Sequence, residues 1–261
     1  MARIFAITNQ KGGVGKTTTT VNLAAGLAML GKRVLLIDLD PQGNATMGSG
    51  IDKREVTHTV YHLLLGQSKL ADVVRYSETA GYDVLAANRD LAGAEIELVD
   101  ESEREYRLRQ ALVGAGERYD YVLIDCPPAL NLLTVNALAA AHAVIIPMQC
   151  EYYALEGLTD LVNTVKKVKA GLNPGIEIEG LLRAMFDPRN TLAQQVSDQL
   201  KGHFGAKVYD TVIPRNVRVA EAPSYGLSAL AYDKASKGAQ AYLQLAQEII
   251  RREEGRQHGK A

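Results

Sequence analysis

The stretch TNQKGGVGKTTTT, residues 8–20, constrains the fold of this chain more than any other part of the sequence. Glycines 12, 13 and 15 precede a Lys-Thr pair, and the stretch follows an apolar run and opens a helical pattern. Such glycines let backbone N–H groups turn inward around an anion, and the following helix adds the positive end of its dipole. The stretch therefore predicts a phosphate-binding loop between a strand and a helix.

This loop departs from the usual pattern at one position. The pattern requires Gly, four residues and then Gly-Lys-Ser/Thr. Gly15-Lys16-Thr17 fits, but Gln10 stands where the first glycine belongs, and an additional lysine, Lys11, follows it. Lys16 is expected to reach the β and γ phosphates and Thr17 to place its hydroxyl on Mg²⁺. Lys11 needs a separate explanation.

The rest of the chain alternates short apolar runs with longer segments of helical period, which predicts an α/β fold. Its mostly parallel, twisted sheet should carry helices on both faces. The predicted strands are 3–8, 33–38, 121–125, 143–147 and 177–186. The predicted helices are 17–30, 101–116, 131–141, 154–170, 191–203 and 238–252. We expect a single phosphate-loop domain over residues 1–252, followed by a polar C-terminal tail, 253–261.

Three aspartates come at the ends of predicted strands. The segment LLIDLDPQGNAT delivers Asp38 and Asp40, and YDYVLIDCPP ends its apolar run in Asp125. Ligands bind at the carboxyl ends of strands in open parallel sheets. Carboxylates near a nucleotide hold Mg²⁺ or orient the attacking water. We therefore predict Thr17, Asp38 and Asp125 as metal-site residues.

Composition excludes several classes of protein. No run of about 18 apolar residues and no signal-peptide layout is present, which indicates a cytoplasmic protein. The two cysteines, Cys126 and Cys150, lack the spacing of a metal site or a disulfide framework. The net charge of −1 argues against a generic polyanion binder. However, residues 181–261 hold 12 Lys and Arg against 8 Asp and Glu, a mild basic excess.

Five segments together resemble one known family. KGGVGKTT, DLDPQGNAT, DCPP, CEYYALEGL and IPRNVRVAEAPSYG look like the ParA/Soj chromosome- and plasmid-partitioning ATPases, within the MinD/ParA branch of phosphate-loop proteins. The resemblance runs from about residue 2 to residue 250. It implies an ATPase that uses ATP and Mg²⁺ and forms a homodimer when ATP is bound.

The resemblance also implies roles for individual residues. Lys11 would cross the dimer interface to the partner's nucleotide, as an arginine finger does. Asp40 would activate the hydrolytic water, so Lys11, Lys16 and Asp40 are the expected catalytic residues. Pro214 to Val217 would border the adenine. The expected nucleotide-binding residues are Lys11, Gly12, Gly13, Val14, Gly15, Lys16, Thr17, Thr18, Pro214, Arg215, Asn216 and Val217.

DNA and a partner protein are further implications of the resemblance. ATP-bound dimers of such proteins bind double-stranded DNA without sequence preference, and a ParB/Spo0J-type partner stimulates turnover. The protein would then be cytoplasmic and nucleoid-associated. Arg189 and Arg218 match basic positions implicated in DNA binding in the family. Lys234 and Lys237 are further candidates because they lie in polar segments of the basic C-terminal third.

Alternative functions stay open at this point. A MinD-like positioning ATPase would act on a membrane or a protein cargo, but the tail EIIRREEGRQHGKA has too few apolar residues for a membrane anchor. No helix-turn-helix extension precedes the first predicted strand, so operator binding is not expected. A metabolic enzyme would need acceptor-binding residues, and none stands out. An iron-sulfur reductase would need cysteines presented across a dimer axis, but Cys126 lies beside Asp125 and the sequence offers no suitable second cysteine.

Overall fold

The fold was analysed in a computed structural model that describes residues 2–258. Its centre is an eight-stranded sheet with the strand order β3-β4-β2-β5-β1-β6-β7-β8. The strands are β1 Arg3–Ile7, β2 Val34–Asp38, β3 Val74–Ser77, β4 Tyr82–Leu85, β5 Tyr121–Asp125, β6 Ala143–Met148, β7 Glu177–Phe186 and β8 Val208–Pro214. Every neighbouring pair is parallel except β3 with β4, which is antiparallel.

Helices fill the connections between these strands. In chain order they are α1 Lys16–Met29, α2 Asn44–Gly48, α3 Val60–Leu64, α4 Leu70–Val73, α5 Leu91–Glu97, α6 Arg107–Ala111, α7 Ala115–Arg118, α8 Leu132–Ala140, α9 Ala154–Gly171, α10 Thr191–Phe204, α11 Val217–Glu221, α12 Ala229–Tyr232 and α13 Lys237–His258. Three 3₁₀ turns cover Arg104–Tyr106, Gly205–Lys207 and Ala222–Tyr225. Within residues 2–258, no helix has the length and apolar content needed to cross a bilayer.

Two apolar layers sandwich the sheet, because successive side chains of a strand point to opposite faces. In β2, Leu35 and Ile37 pack into the layer formed by α8, α9 and α10. Val34 and Leu36 pack into the opposite layer with α1 and α13. The predicted α/β fold, with a mostly parallel sheet and helices on both faces, is therefore confirmed.

The register of the central strands brings their carboxyl ends to one edge. Asp125, the last residue of β5, is the register partner of Ile7 in β1 and of Asp38 in β2. The segments that follow these three strands therefore meet at a single place. This is where the phosphate loop and the three aspartates were expected to converge.

The structure corrects several predicted elements. Strands β3, β4 and β8 were missed because they are short and carry exposed or polar residues among the apolar ones. The helix predicted over 101–116 is instead a 3₁₀ turn followed by two short helices. The helical backbone is interrupted at Glu103 and Gly114, which have φ angles of 53° and 85°. A residue with left-handed backbone angles cannot continue a right-handed helix. The regular spacing of apolar residues across this region therefore does not correspond to one helix.

The last helix crosses the predicted boundary between domain and tail. Helix α13 runs to His258, so residue 252 lies inside it. Arg256 forms ion pairs with the buried Glu179 of β7, and Glu253 lies 3.2 Å from the Arg3 guanidinium. These contacts fasten the end of α13 to the amino ends of β1 and β7. The remainder of the predicted tail, residues 259–261, lies outside the described residues.

Candidate active site

The loop between β1 and α1 has the backbone that its glycines predict. Gly13 and Gly15 have φ angles of 71° and 92°, where residues with a Cβ are strained. Gly15 is the residue before α1, and no side chain caps the first N–H groups of that helix. Uncapped N–H groups and the helix dipole favour an anion at this end. The loop therefore offers a binding site for phosphate oxygens.

Lys16 is held within the loop. Its side chain is 7% exposed, and its Nζ donates a hydrogen bond of 3.1 Å to the Lys11 carbonyl oxygen. Burial lowers the pKa of Lys16 below its ordinary value, while the negative charges of Asp125 and Asp40 act in the opposite direction. Bound phosphates would place negative charge beside the buried ammonium and so favour its charged form.

Asp125 is joined to the first turns of α1 by two hydroxyl groups. Thr17 Oγ1 donates to Asp125 Oδ2 over 2.8 Å, and Thr20 Oγ1 donates to Asp125 Oδ1 over 3.0 Å. The carboxyl group is fully buried, which raises its pKa, and the nearby Asp38 raises it further. The two hydroxyl hydrogen bonds lower it. The effect of burial on the pKa is larger than that of the two hydrogen bonds. The negative charge of this carboxyl group is therefore unfavourable unless a cation lies beside it.

Asp38 is fully buried beside α2. Its Oδ2 accepts hydrogen bonds from the Thr46 N–H over 2.8 Å and the Thr46 hydroxyl over 2.7 Å. Its Oδ1 accepts from the Asp40 N–H over 3.1 Å. Burial raises the pKa of Asp38, and the bonds from Thr46 and Asp40 oppose that shift. Asp40 itself is half-buried, and its Oδ1 accepts from the Gln42 N–H over 2.9 Å.

The donors brought together here suit Mg²⁺. Hydroxyl and carboxylate oxygens are the ligands that this hard cation prefers, and Mg²⁺ is commonly held by one or two protein groups together with substrate phosphates and water. Within the described residues, no group of three or more His, Cys, Asp or Glu side chains forms a metal site by itself. Thr17 and Asp125 fit the two-group arrangement. Asp38 has its oxygens turned mainly to protein donors.

Lys11 lies outside this cluster. Its side chain is 52% exposed, and its Nζ is 2.5 Å from Oε2 of Glu151, in the segment after β6. The backbone beneath it is fixed, because Asn9 accepts from the Lys11 N–H over 3.0 Å and donates to the Pro147 carbonyl over 2.8 Å. The two lysines of the loop thus have different environments: one is buried within it and the other projects from it.

The predicted adenine segment begins at the end of β8. Asn216 caps α11, since its side-chain oxygen accepts from the Val219 N–H over 3.2 Å. Arg215 and Val217 are exposed. A cavity of about 390 Å³ opens beside the phosphate loop, but its lining comes from α1, α2 and the Ala222–Tyr225 turn. The lining residues are Thr17, Thr18, Val21, Asn22, Asn44, Met47, Gly48, Pro223 and Ser224. The adenine role of Pro214–Val217 stays a prediction.

The four predicted DNA-contact residues lie beyond the carboxyl ends of β7 and β8 and are exposed. Arg189 is 2.8 Å from Asp187. Arg218 is 3.0 Å from Glu221 and 3.5 Å from Asp233, the residue before Lys234.

Arg215, which was predicted only for adenine, also belongs to this basic region. Its positive charge contributes, after that of Arg189, to lowering the pKa of Asp187. Acidic neighbours thus neutralise part of the basic surface.

Four residues that contact the site were not identified from the sequence. Thr20 and Thr46 hold the two buried carboxylates. Gln149 donates to the Gly13 carbonyl over 3.3 Å and to the Met185 sulfur over 3.1 Å. Met185 has a backbone φ of 51°, which is unusual for a residue other than glycine. Only Thr20 had a usable signal, because it lies one helical turn after Thr17 and therefore on the same face.

Comparisons with known proteins identify the relatives of this chain. A family model described as an AAA domain matches residues 2–178. The chromosome partitioning protein ParA of Caulobacter vibrioides is 54% identical over 257 residues, which cover 98% of this chain and 96% of the relative. The sporulation initiation inhibitor protein Soj of Bacillus subtilis is 55% identical over 249 residues, 95% of this chain and 98% of that protein.

A solved structure shares the fold and carries a different name. It is cobyrinic acid a,c-diamide synthase of Mycobacterium smegmatis with bound ADP and magnesium. It superposes with a TM-score of 0.84 and 38% identity, covering 96% of this chain and 95% of that one. The fold therefore accommodates a magnesium nucleotide in a relative of moderate identity.

Proposed function

The chain belongs to the ParA/Soj family of chromosome-partitioning ATPases, and from this premise we propose that it is an ATP-operated dimer switch. In this proposal ATP and Mg²⁺ bind one protomer, two protomers associate, and the dimer binds double-stranded DNA without sequence preference. Hydrolysis, stimulated by a ParB/Spo0J-type partner, resets the cycle. The switch acts in the cytoplasm on the nucleoid and drives segregation of a chromosome or plasmid.

The observation that carries this proposal is the difference between the two lysines of the loop. Lys16 is buried and placed for its own protomer's phosphates, whereas Lys11 is half-exposed and pairs with Glu151 across the surface. A cation that projects from the loop can supply charge to a nucleotide bound by a second subunit. Hydrolysis and dimerisation would then depend on each other, which is what a switch requires.

Nucleotide and metal roles follow from the residues at the carboxyl edge of the sheet. We assign the phosphates to the loop Gly12–Lys16 and to the Thr18 N–H, and Mg²⁺ to Thr17 and Asp125 with support from Asp38. When bound, Mg²⁺ neutralises charge on the phosphates. Asp40, half-buried at the mouth of the site, orients the attacking water.

The DNA-binding role rests on surface charge. Arg189, Arg218, Lys234 and Lys237 form an exposed group whose positive charge is partly offset by acidic neighbours. One protomer of net charge −1 offers few phosphate contacts, and a two-fold dimer doubles them. Such contacts carry no sequence information.

A second candidate is a metabolic synthase, favoured only by the name of the Mycobacterium smegmatis structure. Its 38% identity is lower than the 54% and 55% identity of the partitioning relatives. A MinD-like positioning ATPase is the alternative within the same branch. The polar residues of α13 that follow Ile250 argue against a membrane as its cargo.

The decisive experiment is an ATP-hydrolysis assay with four arms: protein alone, with DNA, with the ParB-type protein of the same organism, and with both. We expect low basal turnover that rises when DNA and the partner are present together. Lys16→Ala is the inactive control. Turnover that does not respond to DNA or partner but rises with cobyrinic acid and a nitrogen donor would favour the synthase.

A further inference from the structure

Thr46 links the last residue of β2 to the segment that follows β4. It is fully buried in α2. Its N–H and its hydroxyl both donate to Asp38 Oδ2, over 2.8 and 2.7 Å. Its hydroxyl oxygen in turn accepts from the Ala87 N–H over 2.9 Å. Because the hydroxyl proton is committed to Asp38 and a lone pair to Ala87, the hydroxyl group has one orientation.

Asp38 in turn forms a hydrogen bond with the backbone of Asp40. While Oδ2 of Asp38 is held by Thr46, Oδ1 accepts the Asp40 N–H over 3.1 Å. The Asp40 carbonyl then accepts from the Gly43 N–H over 2.8 Å, which closes a turn. The backbone position of Asp40 is thus set by a buried carboxylate, and that carboxylate is set by Thr46.

The Ala87 peptide holds the same segment from a second side. A Cβ on Gly43, which has a φ of 61°, would lie 2.7 Å from the Ala87 carbonyl oxygen. Ala87 follows β4, the neighbour of β2 in the sheet. The turn that carries Asp40 therefore packs closely against the segment after β4, at Gly43 as well as through the Thr46 hydroxyl.

We propose that Thr46 is the positioning residue for hydrolysis: through Asp38 it fixes the backbone of Asp40, and so the place where the water-orienting carboxylate acts. The inference rests on the role proposed above for Asp40. Thr46 touches neither nucleotide nor water in this scheme. Its loss should slow the hydrolytic step while nucleotide binding, which depends on the phosphate loop, persists.

The test compares Thr46→Val, Thr46→Ser and wild type in ATP hydrolysis with Mg²⁺. Valine has the shape of threonine without the hydroxyl, and serine keeps the hydroxyl. Loss of a hydrogen-bond partner behind a site carboxylate typically costs about 10- to 100-fold. We expect that fall in kcat for Thr46→Val with KM for ATP within about twofold, since only the chemical step is affected. Thr46→Ser should restore kcat.

A measurement other than turnover separates positioning from general damage. With ATP and Mg²⁺, the Thr46→Val dimer should persist longer than the wild-type dimer in gel filtration, because hydrolysis ends the dimer. Thr19→Val is the matched control, a buried threonine of α1 whose hydroxyl lies 3.4 Å from the Tyr242 hydroxyl of α13. It should leave kcat and dimer lifetime at wild-type values. If Thr46→Val shows no cooperative melting transition, Thr46→Ala, which places no methyl group against Asp38, takes its place.

The outcomes are distinct. Equal losses of kcat in Thr46→Val and Thr19→Val, a Thr46→Val loss that lies wholly in KM, or a Thr46→Ser enzyme as slow as Thr46→Val would each overturn the proposal. Asp40→Ala is measured alongside. If Asp40→Ala hydrolyses ATP normally, the proposed role of Asp40 fails. If Asp40→Ala is inactive and Thr46→Val is as fast as wild type, only the Thr46 inference fails.

Discussion

Thr17 and Asp125 are joined by a hydrogen bond of 2.8 Å between the threonine hydroxyl and the aspartate Oδ2, at the point where α1 begins and β5 ends. Thr17 is the second residue of α1, directly after the phosphate loop, and Asp125 is fully buried. A hydroxyl and a carboxylate in contact at this position form a ready pair of ligands for Mg²⁺. Because burial raises the pKa of Asp125, we expect this carboxyl group to respond to protons and to cations.

This raised pKa predicts how stability depends on pH. The pKa of Asp125 is raised to about 8 and that of Asp38 to about 6, from an ordinary value of 3.8. Because the folded protein binds protons at these two groups more tightly than the unfolded chain does, the groups contribute most to the free energy of unfolding below pH 4. Their contribution is lost as pH rises to about 8. We expect the melting temperature of the nucleotide-free protein in EDTA to fall between pH 5 and pH 8.

Asp125→Asn tests the origin of that slope, since an amide cannot ionise. The variant should lose most of the pH dependence between pH 5 and 8. Asp52→Asn is the control: the pKa of Asp52 is lowered to about 2 by Arg54, so it does not titrate in this range. A wild-type melting temperature that is flat or rises over this range would contradict the assignment.

The two lysines of the loop should respond differently to substitution. Lys16→Ala removes the buried ammonium of the proposed phosphate site and should abolish ATP binding in calorimetry. Lys11→Ala removes an exposed side chain and should leave ATP affinity of the monomer within about threefold, because exposed ion pairs contribute about 0–1 kcal/mol. It should weaken the ATP-dependent dimer and its hydrolysis. Equal loss of ATP binding in both variants would exclude the role in trans.

Asp40→Ala should separate binding from hydrolysis. The phosphate loop does not depend on this side chain, so ATP binding and dimerisation should persist while turnover is lost. Gel filtration with ATP and Mg²⁺ should then show a lasting dimer, and with ADP a monomer. A variant that stays monomeric with ATP would disprove this separation.

The sequence predicted those parts of the molecule that follow a local pattern. Strand β5 is an unbroken apolar run ending in Asp125, and buried parallel strands have that composition. Strand β3 could not be identified in this way, because Arg75 and Tyr76 are exposed at the sheet edge. The contact of Thr46 with Asp38 and Ala87 depends on how three segments meet in space. No spacing in the chain encodes it.

The domain boundary was predicted after residue 252 because the residues beyond it are polar, and polar ends of helices usually lie in solvent. Here the polar residues have partners across the fold, because Glu179 is buried and needs cations. A polar sequence alone does not distinguish a solvated tail from one that neutralises a buried charge.

Removing that neutralisation should destabilise the protein. Arg256→Ala deletes the ion pair with Glu179 and leaves the pair that Glu179 makes with Arg3 over 3.5 Å. We expect a loss of about 1–3 kcal/mol in the free energy of unfolding, the usual cost of an under-satisfied buried group. Urea unfolding measures it. Arg251→Ala, an exposed neighbour on α13, should change stability by less than about 0.5 kcal/mol.

The last prediction concerns DNA, where opposite charge changes should have opposite effects. Arg189→Glu and Arg218→Glu should weaken binding of the ATP-bound dimer to all DNA sequences alike. Asp187→Asn should strengthen it, because Asp187 lies 2.8 Å from Arg189 and neutralises its charge. ATP-dependent dimerisation should be unchanged in all three variants, because none of these side chains is assigned a role in binding the phosphates.

Salt dependence supplies the quantitative signature of this prediction. The slope of log affinity against log salt is about −0.9 per neutralised phosphate, so four to six contacts would lower affinity roughly a hundredfold or more between 50 and 200 mM salt. The two Arg→Glu variants should have a shallower slope than wild type, measured by fluorescence anisotropy with ATP present. Equal affinity of wild type and both variants across this range would remove Arg189 and Arg218 from the DNA-binding surface. If Asp187→Asn alone strengthened binding, the surface would still be basic but its contacts would lie with neighbours such as Arg215, whose charge also acts on Asp187.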